Sequence, residues 1–332
     1  MMFRSRLPRM LALFLLVFMA NSSVQAYDPV GFDLQGHRGT RGLEPENTLP
    51  AFKRALELGV TTLELDTGIT ADGIVVVIHD QQLNPAHTRD ASGNWVSKNN
   101  RPAVHDLTLA ELKTYEVGRV KRGSRYAERF PDVRERDNVR IPTLDEVFTW
   151  VESTGNTVVK FNIETKINPE KPGQTLAPEA FVKALLAVID KHHMRNRVSI
   201  QSFDWRSLQI AQRLAPNIPT VYLTARQSWL DNISPTPDGS PSLWTAGFDI
   251  RDFDNIPVMI NAAGGSVWSP YHKEIDAEQL GAAHLSGLPV VVWTVNKQAR
   301  MKALIKMGVD GIISDYPDRL VKTARDIGII AK

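Results

Sequence analysis

Short apolar, β-branched runs alternate along most of this chain with stretches whose apolar residues recur at helical spacing. The strand-like runs are Phe32–Gln35, Thr62–Asp66, Ile74–Ile78, Thr157–Ile163, Arg197–Gln201, Thr220–Leu223, Ser266–Trp268, Pro289–Thr294 and Gly311–Ser314. Between the first two, Leu49, Phe52, Leu56 and Leu58 mark a helix opened by Asn47 or Thr48 and closed by Gly59. Thr143-Leu144-Asp145-Glu146 and Thr108-Leu109-Ala110-Glu111 are capping-box patterns, each a helix start. Repeated strand–helix alternation predicts a parallel sheet covered by helices. The expected fold class is therefore α/β, a distorted (β/α)8 TIM barrel. The runs number one more than the barrel needs. The link Thr67–Gly73 is too short for the crossover of about a dozen residues that parallel strands require. The second and third runs are thus a hairpin, or they are not both barrel strands.

Two stretches interrupt the alternation. Residues 81–141 are polar and charged and follow His79-Asp80, so they read as an insertion on the catalytic side of the barrel. Their basic run, from Arg119 to Arg140, reads as a solvated surface or as a steering patch for an anionic substrate. Residues 226–262 are rich in Pro, Gly, Ser and Asp, with Trp229 and Trp244 among them, and read as a long loop, functional or flexible.

The N-terminus stands apart from the fold. Arg4, Arg6 and Arg9 precede an apolar run from Met10 to Ala20, and Val24-Gln25-Ala26 supplies small residues for a signal peptidase. This pattern predicts a secretory signal over residues 1–26 and a single mature domain over 27–332. The apolar run falls short of the ~20 residues that cross a bilayer. Export is expected, to the periplasm in a cell with an outer membrane and otherwise to the medium. Removing the three signal arginines takes the formal charge of +2 to −1, so nothing in the charge argues for nucleic acid or an anionic membrane as partner, and neither is expected. The chain has no cysteine, hence no disulfide framework and no lipoprotein anchor.

The chemistry gathers at the ends of the strand-like runs, where barrel active sites are placed. His37 and His79 each close an apolar run. Histidine suits both deprotonation of a nucleophile and protonation of a departing alkoxide, because its pKa lies near neutrality. Glu64 and Asp66, one residue apart on a strand, face the same way. With Glu164 they form an all-oxygen set fit for one divalent cation, Ca2+ or Mg2+ and not zinc. Inward salt bridges are the plainer alternative. Arg38 and Lys166 are the natural phosphate contacts, the arginine as a two-toothed fork and the lysine as a point charge. Glu46 is expected to orient Arg38 or the helix start. Trp293 either packs on a small polyol or fills the barrel. His87, His105, His192, His193, His272 and His284 lack such company and are expected to be structural.

Together these residues resemble the glycerophosphodiester phosphodiesterase family, periplasmic type. The resemblance is carried by H-R-G, P-E-N-T-L-P-A-F, L-E-L-D, D-G-I-V-V-V-I-H-D, I-P-T-L-D-E-V, N-I-E-T-K, S-I-Q-S-F-D, V-W-T-V-N and S-D-Y-P, over about residues 33–318. It implies a barrel, a divalent cation (Ca2+ favoured) and hydrolysis of glycerophosphodiesters, such as glycerophosphocholine or glycerophosphoethanolamine, to sn-glycerol 3-phosphate and an alcohol. It assigns His37 and His79 to catalysis, Arg38 and Lys166 to substrate, and Glu64, Asp66 and Glu164 to the cation. It also suggests attack by the neighbouring glycerol hydroxyl through a cyclic phosphate, then by water. Thr67 stands where the family has valine, and Asn84-Pro85 where it has aspartate and arginine, which alters the mouth of the site. Two rivals remain: a phospholipase of the same superfamily acting on lysophospholipid or sphingomyelin, and an exported phosphodiester-binding protein.

Overall fold

The computed structural model describes residues 31–330; the expected signal sequence over 1–26 lies outside them. The strands are β1 Asp33–Gly36, β2 Thr62–Ile69, β3 Val75–Val77, β4 Lys160–Thr165, β5 Val198–Ser202, β6 Thr220–Thr224, β7 Arg226–Gln227, β8 Leu230–Asp231, β9 Val267–Pro270, β10 Val291–Val292 and β11 Gly311–Ser314. Parallel pairing runs β10-β11-β1-β2-β4-β5-β6-β9. Parallel bridges Trp268↔Val290 and Tyr271↔Trp293 complete the circuit between β9 and β10. The result is the expected α/β barrel of eight parallel strands.

The surplus run is resolved by β3, which pairs antiparallel with the far end of β2 (Thr67↔Val77, Ile69↔Val75). The chain thus turns back at the mouth of the barrel. It then runs through the insertion and re-enters the barrel plan at helix Leu144–Ser153. The insertion has a small core of its own, in which Leu83, Val104, Leu112 and Ile141 pack on Val76 and Ile78.

Local chemistry explains the helix ends. Thr48 accepts a hydrogen bond from the Ala51 N–H, and Gly59 ends helix Leu49–Leu58 in the left-handed region (φ 86°). Both capping boxes form, at Thr143/Glu146 and Thr108/Glu111. One expectation needs correcting. Residues 226–262 are not all loop: they begin with the β7–β8 hairpin and end in helix Ile256–Ala262, the barrel's crossover between β6 and β9. Ile256, Met259 and Ile260 are buried at helical spacing, with Asn255 capping and Pro257 in the first turn.

Strand alternation divides the two faces of the sheet. Leu63, Leu65, Phe161 and Ile163 join Phe52, Phe148 and Phe181 in the layer between barrel and helices. The lumen itself is divided. Near β1, β2, β4 and β5 it is polar: Asn162 donates to Gln35 (3.0 Å) and to Gln201 (2.9 Å). Near β6, β9, β10 and β11 it is apolar, built from Val221, Val267, Val291 and Ile313. No helix among the described residues is long and apolar enough to cross a membrane.

Candidate active site

The turn after β1 carries the first two site residues. Arg38 sits in the left-handed region (φ 50°), a conformation that costs a non-glycine residue on the order of 1 kcal/mol. Its backbone N–H donates to Glu64 Oε2 (2.7 Å), and its carbonyl accepts from the Asn47 N–H (3.0 Å). Gly39 follows at φ 79°, where an added Cβ would lie 2.7 Å from the Ala51 backbone. Only glycine fits there, which explains the third residue of His37-Arg38-Gly39.

Glu64, Asp66 and Glu164 converge from β2 and β4, all buried, with one carboxylate oxygen from each within 4.8 Å of the others. Each Glu64 oxygen has one partner, the second accepting from Gln201 Nε2 (2.7 Å), which leaves lone pairs for a cation. Asp66 Oδ2 accepts from Asn47 Nδ2 (2.8 Å) and lies 3.1 Å from Arg38 Nε. Asp66 Oδ1 is buried without a hydrogen-bond partner, with Lys166 Nζ 3.8 Å away. An orphaned buried carboxylate oxygen is costly, and a hard cation among these oxygens would satisfy it. The donor set fits one such ion.

The charges are out of balance without it. Burial, reinforced by the Asp66 charge, pushes the Glu64 carboxyl well above the usual range. Burial likewise lifts Glu164 to about 7, in spite of Lys166 at 2.7 Å. Asp66 goes the other way: burial opposes its charge, but Arg38, His79 and Lys166 together hold it well below the normal carboxylate value.

The two histidines are built alike. His37 Nδ1 faces Asp315 Oδ1 at 2.5 Å, and His79 Nδ1 faces Asp80 Oδ1 at 2.7 Å. Each carboxylate fixes the proton on Nδ1 and leaves Nε2 as the working nitrogen. His37 Nε2 lies 3.9 Å from Glu64 Oε2, so it looks onto the carboxylate cluster. Burial lowers the pKa of His37 despite Asp315. His79 is lowered to about 4 by burial and by the cations Arg38 and Lys166. In each case the shift favours the neutral imidazole. Asp315 is itself gripped by Asn296 Nδ2 (2.6 Å) and Asp80 by Asn84 Nδ2 (2.7 Å).

Behind Arg38 lies a second layer. Glu46 Oε1 accepts from Arg38 (2.7 Å), while Glu46 Oε2 takes Arg41 Nε and the Tyr126 hydroxyl, each at 2.6 Å. Tyr126 belongs to the insertion, which thereby reaches the catalytic rim.

Seven predicted residues, His37, Arg38, Glu64, Asp66, His79, Glu164 and Lys166, thus share one rim. Trp293 stands apart, across the mouth, half-buried against Phe203 (5.3 Å, edge-on) with Nε1 donating to Ser269 O. Phe203 in turn lies with its ring 5.9 Å from Lys166 Nζ. Sequence reasoning left Asp315, Asn296 and Gln201 without roles and gave Asn47 only a possible place at the helix start, although S-D-Y-P, V-W-T-V-N, S-I-Q-S-F-D and P-E-N-T contain them.

An α/β barrel with Asp-oriented histidines, a carboxylate cluster and two cations at its C-terminal rim defines a class of enzyme. The sequence model of the glycerophosphoryl diester phosphodiesterase family matches residues 37–319, and the chain belongs to that family. A glycerophosphodiester phosphodiesterase of Caldanaerobacter subterraneus subsp. tengcongensis is 30% identical over 292 residues, 88% of this chain and 97% of that one. A crystal structure from Silicibacter pomeroyi, provisionally assigned to the same family, is 33% identical with a TM-score of 0.78, covering 91% of this chain and 96% of its own. A phosphodiesterase of Oleispira antarctica, solved with the product sn-glycerol-3-phosphate, shares the fold at 22% identity and a TM-score of 0.63 (88% and 96% covered).

Proposed function

We propose that this enzyme hydrolyses glycerophosphodiesters, such as glycerophosphocholine and glycerophosphoethanolamine, to sn-glycerol 3-phosphate and the free alcohol. One observation carries the reading: two histidines, each oriented by an aspartate, share a rim with a buried three-carboxylate cluster and two cations. A binding protein needs no such pair of proton carriers, so hydrolysis is preferred over capture.

In this scheme Glu64, Asp66 and Glu164 hold one divalent cation, Ca2+ in preference to Mg2+. When bound, it supplies Lewis-acid polarisation and a fixed point for the glycerol hydroxyls. Arg38 and Lys166 grip the phosphate and stabilise the negative charge that builds on its oxygens. His37 and His79 share the proton work at Nε2. One, neutral, takes the proton from the attacking hydroxyl, and the other enters as the imidazolium and gives its Nε2 proton to the departing alkoxide. Asp315 and Asp80 stabilise whichever imidazolium forms. Trp293 and Phe203 border the path of the substrate's organic half.

Residues 1–26 act as an export signal in this reading, leaving a periplasmic or secreted enzyme that begins at Tyr27. The test is to incubate protein starting at Tyr27 with glycerophosphocholine and measure glycerol 3-phosphate, before and after EDTA and with Ca2+ or Mg2+ restored. Release that disappears with EDTA and returns with metal is expected, with Ca2+ the better activator. Folded protein that releases nothing with either metal sinks the reading.

A further inference from the structure

The β7–β8 hairpin is built to display one side chain. Gln227 pairs with Leu230, so the turn consists of Ser228 and Trp229. Two-residue hairpin turns favour glycine, asparagine or aspartate at positive φ, and neither residue is one of these or adopts positive φ. A local rule broken in this way points to a functional demand on the side chain. Trp229 is 57% exposed, the one aromatic among the exposed large hydrophobic residues described.

The hairpin is nonetheless anchored. Fully buried Asn232 accepts from the Ala225 N–H (2.9 Å) and donates to the carbonyls of Leu223 (3.0 Å) and Phe203 (3.2 Å). Glu274 Oε1 accepts from the Arg226 N–H (2.9 Å) and from Gln227 Nε2 (2.5 Å). The indole packs edge-on against Tyr271 (5.5 Å) and Trp293 (6.0 Å), which are themselves 5.5 Å apart. Trp293 meets Phe203 at 5.3 Å, and Phe203 lies 5.9 Å from Lys166 Nζ. An aromatic wall therefore runs from the phosphate-gripping side of the site to the exposed indole.

We propose that Trp229 is the outer face of a subsite for the alcohol half of the substrate, selecting head groups that carry a quaternary ammonium. The proposal rests on the glycerophosphodiesterase reading above. The three rings gather aromatic surface at the mouth with the indole outermost, and an indole is the strongest aromatic partner for a cation. The nearby carboxylate, Glu274, holds the hairpin through Oε1 and adds a negative charge beside the rings.

The experiment compares kcat/KM for glycerophosphocholine with kcat/KM for glycerophosphoglycerol, whose head group is an uncharged polyol, in wild type, Trp229→Ala and Trp229→Phe. The ratio is expected to fall about three- to fivefold in Trp229→Ala, the scale of an exposed cation–π contact. The fall should appear in KM for the choline diester, and Trp229→Phe should restore most of it. An unchanged ratio, or an equal loss on both substrates, overturns the subsite. Calorimetric binding of glycerophosphocholine to wild type and Trp229→Ala tests the wall independently of turnover. If neither substrate is cleaved yet the choline diester still binds through Trp229, the catalytic reading fails and the subsite stands; equal affinity in the two proteins removes the subsite.

Discussion

The two sides of the barrel mouth are made on opposite principles. On the β1–β2–β4 side, buried charges hold one another: Arg38 lies between Glu46 and Asp66, and Lys166 beside Glu164. On the β6–β9–β10 side, rings pack edge to face and the outermost is more than half exposed. The lumen below follows the same division, polar under the charged rim and apolar under the aromatic one. Each part of the first side depends on the others, because a buried charge without its partner costs several kcal/mol. Each ring of the second contributes mainly its own contact area. The charged side should therefore respond to substitution all or none, and the aromatic side by degrees.

The sharpest break is expected at the histidines. His37→Ala or His79→Ala removes a proton carrier from a reaction that needs two, and positioned acid–base groups contribute roughly 10²–10⁴-fold. Turnover of glycerophosphocholine should drop at least about a hundredfold in either variant. Folding should survive, because Asp315 keeps Asn296 and Asp80 keeps Asn84 as partners. A steady-state assay alongside a denaturation curve checks both halves. A rate within tenfold of wild type would end the two-histidine scheme.

Glu46 tests the interdependence itself. It pairs with Arg38, Arg41 and Tyr126, so Glu46→Ala takes the shared carboxylate from two buried guanidiniums and leaves Arg38 with Asp66 alone. The expected loss is about 3–5 kcal/mol, read from urea unfolding. Trp229→Ala, by contrast, should change stability by no more than about 0.5 kcal/mol. Similar losses in the two variants would erase the distinction between the two sides.

The charged side also sets a pH dependence. The Glu164 carboxyl is lifted to about 7 from an ordinary 4.5, so the cation-free folded state binds a proton that the unfolded state has released. Its contribution to stability therefore falls as pH rises from about 4.5 to about 7. A divalent cation relieves that strain only after the proton has gone. Added Ca2+ should raise the melting temperature more at pH 7.5 than at pH 5.5, with apparent affinity at least about tenfold weaker at the lower pH. An equal or larger shift at pH 5.5 would show that these carboxylates are not the site.

What could be read from the chain follows from how locally each feature is encoded. The strands were visible because those of a parallel barrel are buried on both faces and read as apolar runs. The β2–β3 hairpin was open to inference because the seven-residue link Thr67–Gly73 cannot hold a crossover helix. The seven rim residues stood out because each lies at a run's end beside another polar group. Asp315 did not, since only closure of the barrel brings it to His37, 278 residues away. Glu46 was foreseen beside Arg38, but Tyr126 was not, because nothing in a charged insertion marks which side chain turns inward. Helix Ile256–Ala262 was hidden by the composition of the stretch preceding it, although its own apolar spacing was regular.

The smallest predicted effect lies on the aromatic side, at Glu274. This carboxylate holds the hairpin by two bonds at a partly exposed position, and touches none of the rim residues assigned to the chemistry. Glu274→Ala frees the Arg226 N–H and Gln227 to bond with water, so stability should fall by less than about 1 kcal/mol. Trp229 would then have to be ordered each time a head group binds, and that ordering costs affinity. KM for glycerophosphocholine should rise about two- to threefold while kcat stays within experimental error of wild type. A fall in kcat instead would mean that the hairpin communicates with the charged rim, and the two sides would have to be treated as one device.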